Sequence, residues 1–357
     1  MPIVEGFILS QSFSMKFQTR RHLIASLASF TLATSALFSF HAHAETREVV
    51  IGYQDMVVPW RYAQASGAVE KATGYKVTYR KLGSGADVIR ALASGSIQVG
   101  EAGSSPIAAG LSQGVDLSLF WILDNINDAE ALVVRNGSGV NKLADLKGKT
   151  LGVPFVSTSH FHALVALQQA GVDPSSVKIV NLRPPEVAAA WERGNIDATY
   201  IWDPVLAKAK QSGKVLITSG EVAKESGKAT FDGFVASRKF AQDNPQFLAG
   251  LVKVLADTDA QYRANKAAWT VDSKEVQAVA QESGATAADV PASLALYAFP
   301  TAGEQASPTW LGGGQQSGAA KSLTATAQFL KQQGTIQNVL GDYSKGVDPR
   351  FVQQAAK

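Results

Sequence analysis

No cysteine occurs anywhere in the chain. Disulfides, zinc–thiolate sites and thiolate-held iron–sulfur clusters are therefore excluded, as is a lipid anchor on an N-terminal cysteine. Histidine is almost as scarce, with 5 in 357 residues. Beyond residue 44 only His160 and His162 remain. They lie two apart in a segment with helical spacing, so they point to different faces and cannot readily share a metal. The motif HExxH is absent, and Gly83-Ser84-Gly85 and Gly137-Ser138-Gly139 each lack the third glycine of GxGxxG. A triad of Ser157, His160 and Asp203 can be drawn, but any protein of this size permits such a drawing. Charge of one sign is lacking too, with 33 basic and 30 acidic residues interspersed along the chain. A nucleic-acid groove needs clustered Lys and Arg, and none is present. These absences predict a protein that is not an enzyme, carries no cofactor or metal, and has no nucleic-acid partner.

What the first 44 residues contain is equally specific. Lys16, Arg20 and Arg21 precede an apolar stretch from Leu23 to Phe40, which ends in Ala42-His43-Ala44. A basic region, an apolar region and a small-x-small end describe a secretory signal peptide over 1–44. Met15 offers an alternative start, and Thr19-Arg20-Arg21-His22-Leu23 faintly resembles a twin-arginine signal. Past this segment no apolar run is long enough to span a bilayer. The expectation is a soluble periplasmic protein without a lipid anchor, monomeric, with a processed chain near charge neutrality.

Beyond residue 44 strands and helices alternate. Glu48–Gln54, Tyr75–Arg80, Ile97–Gly100 and Val115–Leu123 read as strands. A helix is expected over Pro59–Thr73, one over Ala86–Ala93 and one over Pro106–Gln113. The pattern repeats through Thr150–Val153, Thr158–Ala170, Lys178–Leu182, Pro185–Arg193, Ile196–Ile201, Pro204–Ser212 and Lys214–Ile217. From Pro245 onward it is helical, over Pro245–Ala264, Lys274–Gly284, Ala287–Ala298 and Ala319–Gln333. Such β-α alternation predicts parallel α/β sheets. Glu130–Asn136 and Phe231–Ser237 read as crossings between lobes, which gives one lobe from 45–134 and 235–357 and another from 135–234. Two α/β lobes on a two-segment hinge put a ligand in the cleft, at the C-terminal ends of strands.

Two strand-to-helix loops carry hydroxyls at that cleft. In Gly103-Ser104-Ser105-Pro106, Ser105 reads as an N-cap and Pro106 as the first helical residue. Pro154-Phe155-Val156-Ser157-Thr158-Ser159 opens a second helix. One hydroxyl-capped helix start per lobe suits an anion, because the first amides of a helix lack partners. No arginine lies in either loop, which favours a weakly basic oxyanion such as a sulfonate. Carboxylates at Glu130 and Asp232, with Asp203 and Glu101 after strand ends, suggest a ligand that also carries an ammonium. Trp202 and Trp60 are candidates to lie over that cation. Asp203-Pro204 also fits an N-cap followed by the first helical position.

Several segments in order resemble the periplasmic binding proteins of nitrate/sulfonate/taurine ABC importers. They include Arg90-Ala91-Leu92-Ala93-Ser94-Gly95, Gly103-Ser104-Ser105-Pro106, Glu130-Ala131-Leu132-Val133-Val134, Val153-Pro154-Phe155 and Ala189-Ala190-Trp191. Later ones are Thr326-Ala327-Gln328-Phe329-Leu330-Lys331 and Asp342-Tyr343-Ser344. The resemblance spans about Val49 to Gln353. It implies a type II periplasmic-binding-protein fold and capture of taurine for an inner-membrane permease, with another alkane- or arylsulfonate as the alternative ligand. It also implies that Ser104, Ser105, Ser157 and Thr158 meet the sulfonate, that Glu130 and Asp232 receive the amine, and that Gln54 and Trp202 line the site. Glu101 and Asp203 depart from that pattern by being acidic, and Asp55 and Trp60 are also unusual for it.

Overall fold

The computed structural model describes residues 47–357. The expected signal peptide and the alternative start at Met15 lie outside the described residues. Among the described residues ten strands run in chain order: β1 Glu48–Tyr53, β2 Lys76–Lys81, β3 Val99–Gly103, β4 Leu117–Asn125, β5 Glu130–Arg135, β6 Thr150–Val153, β7 Lys178–Asn181, β8 Ala198–Trp202, β9 Gly213–Thr218 and β10 Phe231–Ser237. They form two five-stranded sheets, ordered β2-β1-β3-β10-β4 and β7-β6-β8-β5-β9. The two orders are the same pattern, with β10 and β5 in matching places. Helices on both faces of a sheet require strands apolar on both faces. The central strands β3 and β8 satisfy this, being buried at every position, and the edge strand β4 is buried at all but Asn125. Trp60, Trp121 and Phe234 fill the first core, Phe161 and Tyr200 the second.

The sheets are mixed rather than parallel. β1 runs parallel to β2 and β3, and β6 to β7 and β8. β10 is antiparallel to β3 and β4, and β5 to β8 and β9. A parallel neighbour needs a crossover within its own lobe. β5 and β10 instead arrive from the opposite sheet through short connections, so nothing forces them into the parallel direction.

This placement shifts the expected crossings. β5 pairs wholly inside the second sheet and β10 wholly inside the first. The chain therefore passes between sheets at 126–129 and 227–230, not at 134/135 and 234/235. Glu130–Arg135 (EALVVR) is too apolar to serve as an exposed hinge and is buried over five of its six positions. Three further differences have local causes. The helix expected over Pro59–Thr73 is two helices, Trp60–Ala65 and Ala68–Thr73, split at Gly67 with φ +65°. The helix expected over Ala287–Ala298 covers only Val290–Leu294, because Ala298 bridges Asn125 and draws the chain out. A helix at Ser219–Ser226 was not anticipated, although Thr218 and Glu221 form the capping box that starts it.

Candidate ligand-binding cleft

The antiparallel crossing strands decide what faces the cleft. Parallel strands end at the cleft, so an antiparallel neighbour must begin there. Asp232, near the start of β10, pairs in register with Gly103 at the end of β3. Glu130, the first residue of β5, pairs with Trp202 at the end of β8. Two carboxylates are thereby delivered to the same edge as two strand-to-helix loops. The cavity between them is small. Gln54, Met56, Gly85, Gly103, Pro106, Asp232 and Tyr297 line it from the first lobe, and Glu130, Ser157, Thr158 and Trp202 from the second. No lysine or arginine is among these residues.

The lobes touch across it. A Cβ on Gly103 would come within 2.7 Å of Thr158 Cγ2 and 3.2 Å of Asp232 Oδ1, so only glycine allows this approach. Trp202 Nε1–H donates to Asp55 Oδ1 at 3.2 Å, and Arg183 Nε–H donates to Asp87 Oδ2 at 3.1 Å. The Ser293 hydroxyl donates to Asp203 Oδ2.

The anion ends are only partly as expected. The helix Thr158–Gln169 has Ser157 as its N-cap, with the Ser157 hydroxyl oxygen accepting from His160 N–H at 3.0 Å. That hydroxyl donates to Pro154 O at 2.7 Å, and the Thr158 hydroxyl donates to Glu130 Oε1 at 2.5 Å. The hydroxyl protons of Ser157 and Thr158 are thus already used, so these two residues offer a ligand only their amides. In the helix Ser104–Ser112 the N-cap is Gly103, so Ser105 is not the cap and Pro106 is the third helical residue. Ser104 and Ser105 lie beneath the wall formed by Gly103 and Pro106 and are themselves fully buried. Ser104 Oγ accepts from Phe231 N–H at 3.4 Å, while Ser105 Oγ has no partner among the described residues.

Besides Ser104 and Ser105, three expected site residues stand outside the lining. Trp60 is fully buried, packs edge-on to Phe234 at 5.2 Å, and donates Nε1–H to Glu101 Oε2 at 2.8 Å. Glu101 is fully buried in an ion pair with Arg61, and its Oε1 accepts from Gln54 N–H at 2.5 Å. Arg61 also donates to Gln54 O at 2.5 Å and stacks over Trp60 and Tyr53. This network holds Gln54 at the cavity and explains an acidic residue at position 101: its charge is offset internally. Asp203 accepts from Ala207 N–H at 2.7 Å, in a helix that begins one residue later than expected, at Val205. Burial raises its pKa, and the Ser293 bond pulls it back down.

Glu130 has the most developed surroundings. Burial pushes its carboxyl up to about 7, against hydroxyls of Thr158, Ser159 and Ser219 that favour the ionised form. Ser219 Oγ lies 3.3 Å from Glu130 Oε2, 2.7 Å from His162 Nδ1 and 3.0 Å from the Tyr200 hydroxyl. His160 stacks on Phe155 at 4.7 Å, and burial pulls both histidines down to about 4, so they are neutral at pH 7. Met56, Tyr297, Arg61 and Ser219 were not singled out from sequence. Only Ser219 had a legible signal, the capping box beside it.

Two lobes, two connecting segments and a small polar cavity between strand ends define a bilobal ligand-binding protein. The chain belongs to the family described as the substrate binding domain of ABC-type glycine betaine transport systems, which matches residues 47–282. The taurine-binding periplasmic protein of Escherichia coli K12 is 38% identical over 323 residues, covering 90% of this chain and 97% of that one. Among solved structures, the alkanesulfonate-binding protein SsuA of Xanthomonas axonopodis pv. citri, bound to MOPS, superposes with a TM-score of 0.71 at 25% identity. That match covers 86% of this chain and 99% of SsuA. The desulfurization enzyme DSZB shares the fold at 16% identity and a TM-score of 0.59, covering 87% of this chain and 98% of that one. The fold therefore admits both binding and catalysis, and the site must decide between them.

Proposed function

We propose that this protein captures taurine between its lobes in the periplasm and delivers it, unchanged, to the permease of an ABC importer. One observation carries the reading: Glu130 and Asp232 face a cavity that also receives two helix starts and no lysine or arginine. A purely anionic ligand would meet two carboxylates there with no basic side chain to offset them. A zwitterion satisfies both ends. Its sulfonate spreads one charge over three oxygens and suits neutral donors, here the first-turn amides of the helices that start at Ser104 and Thr158. Its primary ammonium brings three N–H donors to Glu130, Asp232 and Gln54. A quaternary ammonium has no N–H to give and favours an aromatic cage, whereas Trp202 and Tyr297 are the two aromatic residues of the lining. The 38% identity to a taurine-binding protein supports the same ligand.

Export through a signal peptide at 1–44, a monomeric state and docking of both lobes on the permease belong to this proposal. Among the described residues no helix is long and apolar enough to cross a membrane. The test is equilibrium dialysis of the ligand-stripped protein against labelled taurine, followed by analysis of the recovered ligand. One taurine per chain, recovered intact, is the expected result. Release of sulfite or any altered product would contradict a binding role.

A further inference from the structure

Asp124 forms no part of the cavity wall, yet it stands directly behind a carboxylate that does. β4 pairs antiparallel with β10, and the register sets Asp124 opposite Asp232. Cross-strand partners have Cβ atoms about 4.5–5.5 Å apart, close enough for two carboxyl groups to meet. Asp124 is 0% exposed and Asp232 7%. Neither Asp124 oxygen meets an N–H or O–H donor among the described residues. The groups facing Asp124 are acidic: Asp232 on β10, Asp259 on the helix Pro245–Ala264 and Glu101 on β3, with the Tyr297 phenol also near. Of the basic groups, Arg61 is committed to Glu101 and Arg263 donates to Phe299 O. Two ionised carboxylates can only repel, because both are pure acceptors; one proton between them turns one into a donor.

We propose that Asp124 is a positioning residue for the amine site: it keeps a proton at neutral pH and donates it, as an O–H hydrogen bond, to Asp232. This rests on the aminosulfonate reading of the cavity. The proton belongs on Asp124 because that group has no cation to face, whereas Asp232 faces the cavity and the incoming ammonium. Burial pushes both carboxyls well upward; the charge of Asp232 raises Asp124 further, and the bond from Asp124 opposes the rise at Asp232. The pair then carries a single negative charge. One Asp232 oxygen is pinned by Asp124 and the other remains for the ligand, so the carboxylate cannot turn away when the lobes open.

Two substitutions and one spectrum test this. Asp124→Asn keeps an N–H donor toward Asp232 but removes the titratable proton. Asp124→Leu keeps similar bulk and removes the donor. Taurine affinity at pH 7 is expected to stay within about threefold of wild type for Asp124→Asn and to fall about 10- to 100-fold for Asp124→Leu. Carbon-13 NMR of aspartate carboxyl carbons in the ligand-free protein should show a group still protonated at pH 7 that disappears in Asp124→Asn. Equal losses in the two variants would overturn the proposal, and so would a spectrum in which every aspartate is ionised at pH 7. Should Asp124→Leu not fold, the spectrum and the asparagine variant decide. Failure of wild type to bind taurine would refute the proposed function, while the spectrum would still settle the state of the pair.

Discussion

The two lobes share one sheet order, yet they handle their buried carboxylates by different means. In the second lobe Glu130 accepts from the Thr158 hydroxyl and has Ser219 at its other oxygen, and Asp203 accepts from Ser293 and the Ala207 amide. In the first lobe Glu101 is matched by Arg61, and Asp232 has a second acid, Asp124, behind it. Neutral hydroxyls leave a carboxyl able to titrate near neutrality, as Glu130 does at about 7. An ion pair fixes a charge permanently. The second lobe thus supplies the half of the amine site whose carboxyl titrates near neutrality, whereas the first lobe's half, Asp232, is backed by Asp124.

The largest effect that would break this comparison is on stability. Arg61→Met leaves Glu101 buried and unpaired, which costs about 3–5 kcal/mol. Urea unfolding should show that loss, whereas removing a second-lobe hydroxyl by Ser219→Ala should cost far less. Next comes Asp232→Ala, in the first lobe's half of the amine site. Taurine binding should weaken by about 2–5 kcal/mol, roughly 30-fold or more. Ethanesulfonate, which lacks the amine, should lose much less, and an equal loss for both would remove the amine assignment.

Glu130 sharpens the comparison through pH. Taurine affinity of wild type should rise between pH 6 and 8 as Glu130 ionises, reaching about tenfold over Glu130→Gln at pH 8 and converging with it at pH 6. A flat wild-type profile would contradict a titrating second-lobe carboxylate. Stability follows the same group with the opposite sign. A folded-state pKa near 7, above the usual 4.5, means the native state holds more protons, so Glu130 lowers stability as pH rises through that window. His160 and His162, held near 4, act against it, because their contribution is lost as pH falls from about 6.5. The smallest effect is expected at the Arg183–Asp87 bond between the lobes. Arg183 is 55% exposed, so Arg183→Ala should speed taurine release only a few-fold in stopped-flow measurements, and less so at high salt.

Much of this arrangement is legible in the sequence, and the gaps have physical reasons. Strand and helix alternation, the hydroxyl-rich loops and the carboxylates Glu130 and Asp232 are all local patterns. Strand direction is not local: nothing in EALVVR or FDGFVAS tells that each joins its sheet antiparallel. That reversal is what brings Glu130 and Asp232 to the cavity edge. Partners distant in the chain are hidden for the same reason. Arg61 and Glu101 are 40 residues apart, and Asp124 meets Asp232 only through register. Trp60 reads equally well as a ligand-facing aromatic or as core, and packing against Phe234 made it core. The hydroxyls of Ser157 and Thr158 look free in sequence, but the fold uses both internally.

The account's central claim is that one small cavity reads both ends of an aminosulfonate. Titration calorimetry of the ligand-stripped protein with taurine, ethanesulfonate and β-alanine tests it most directly. Tight one-to-one taurine binding, with both controls weaker by at least about tenfold, is the predicted result. Ethanesulfonate binding as tightly as taurine would contradict it, because Glu130 and Asp232 would then contribute nothing to recognition.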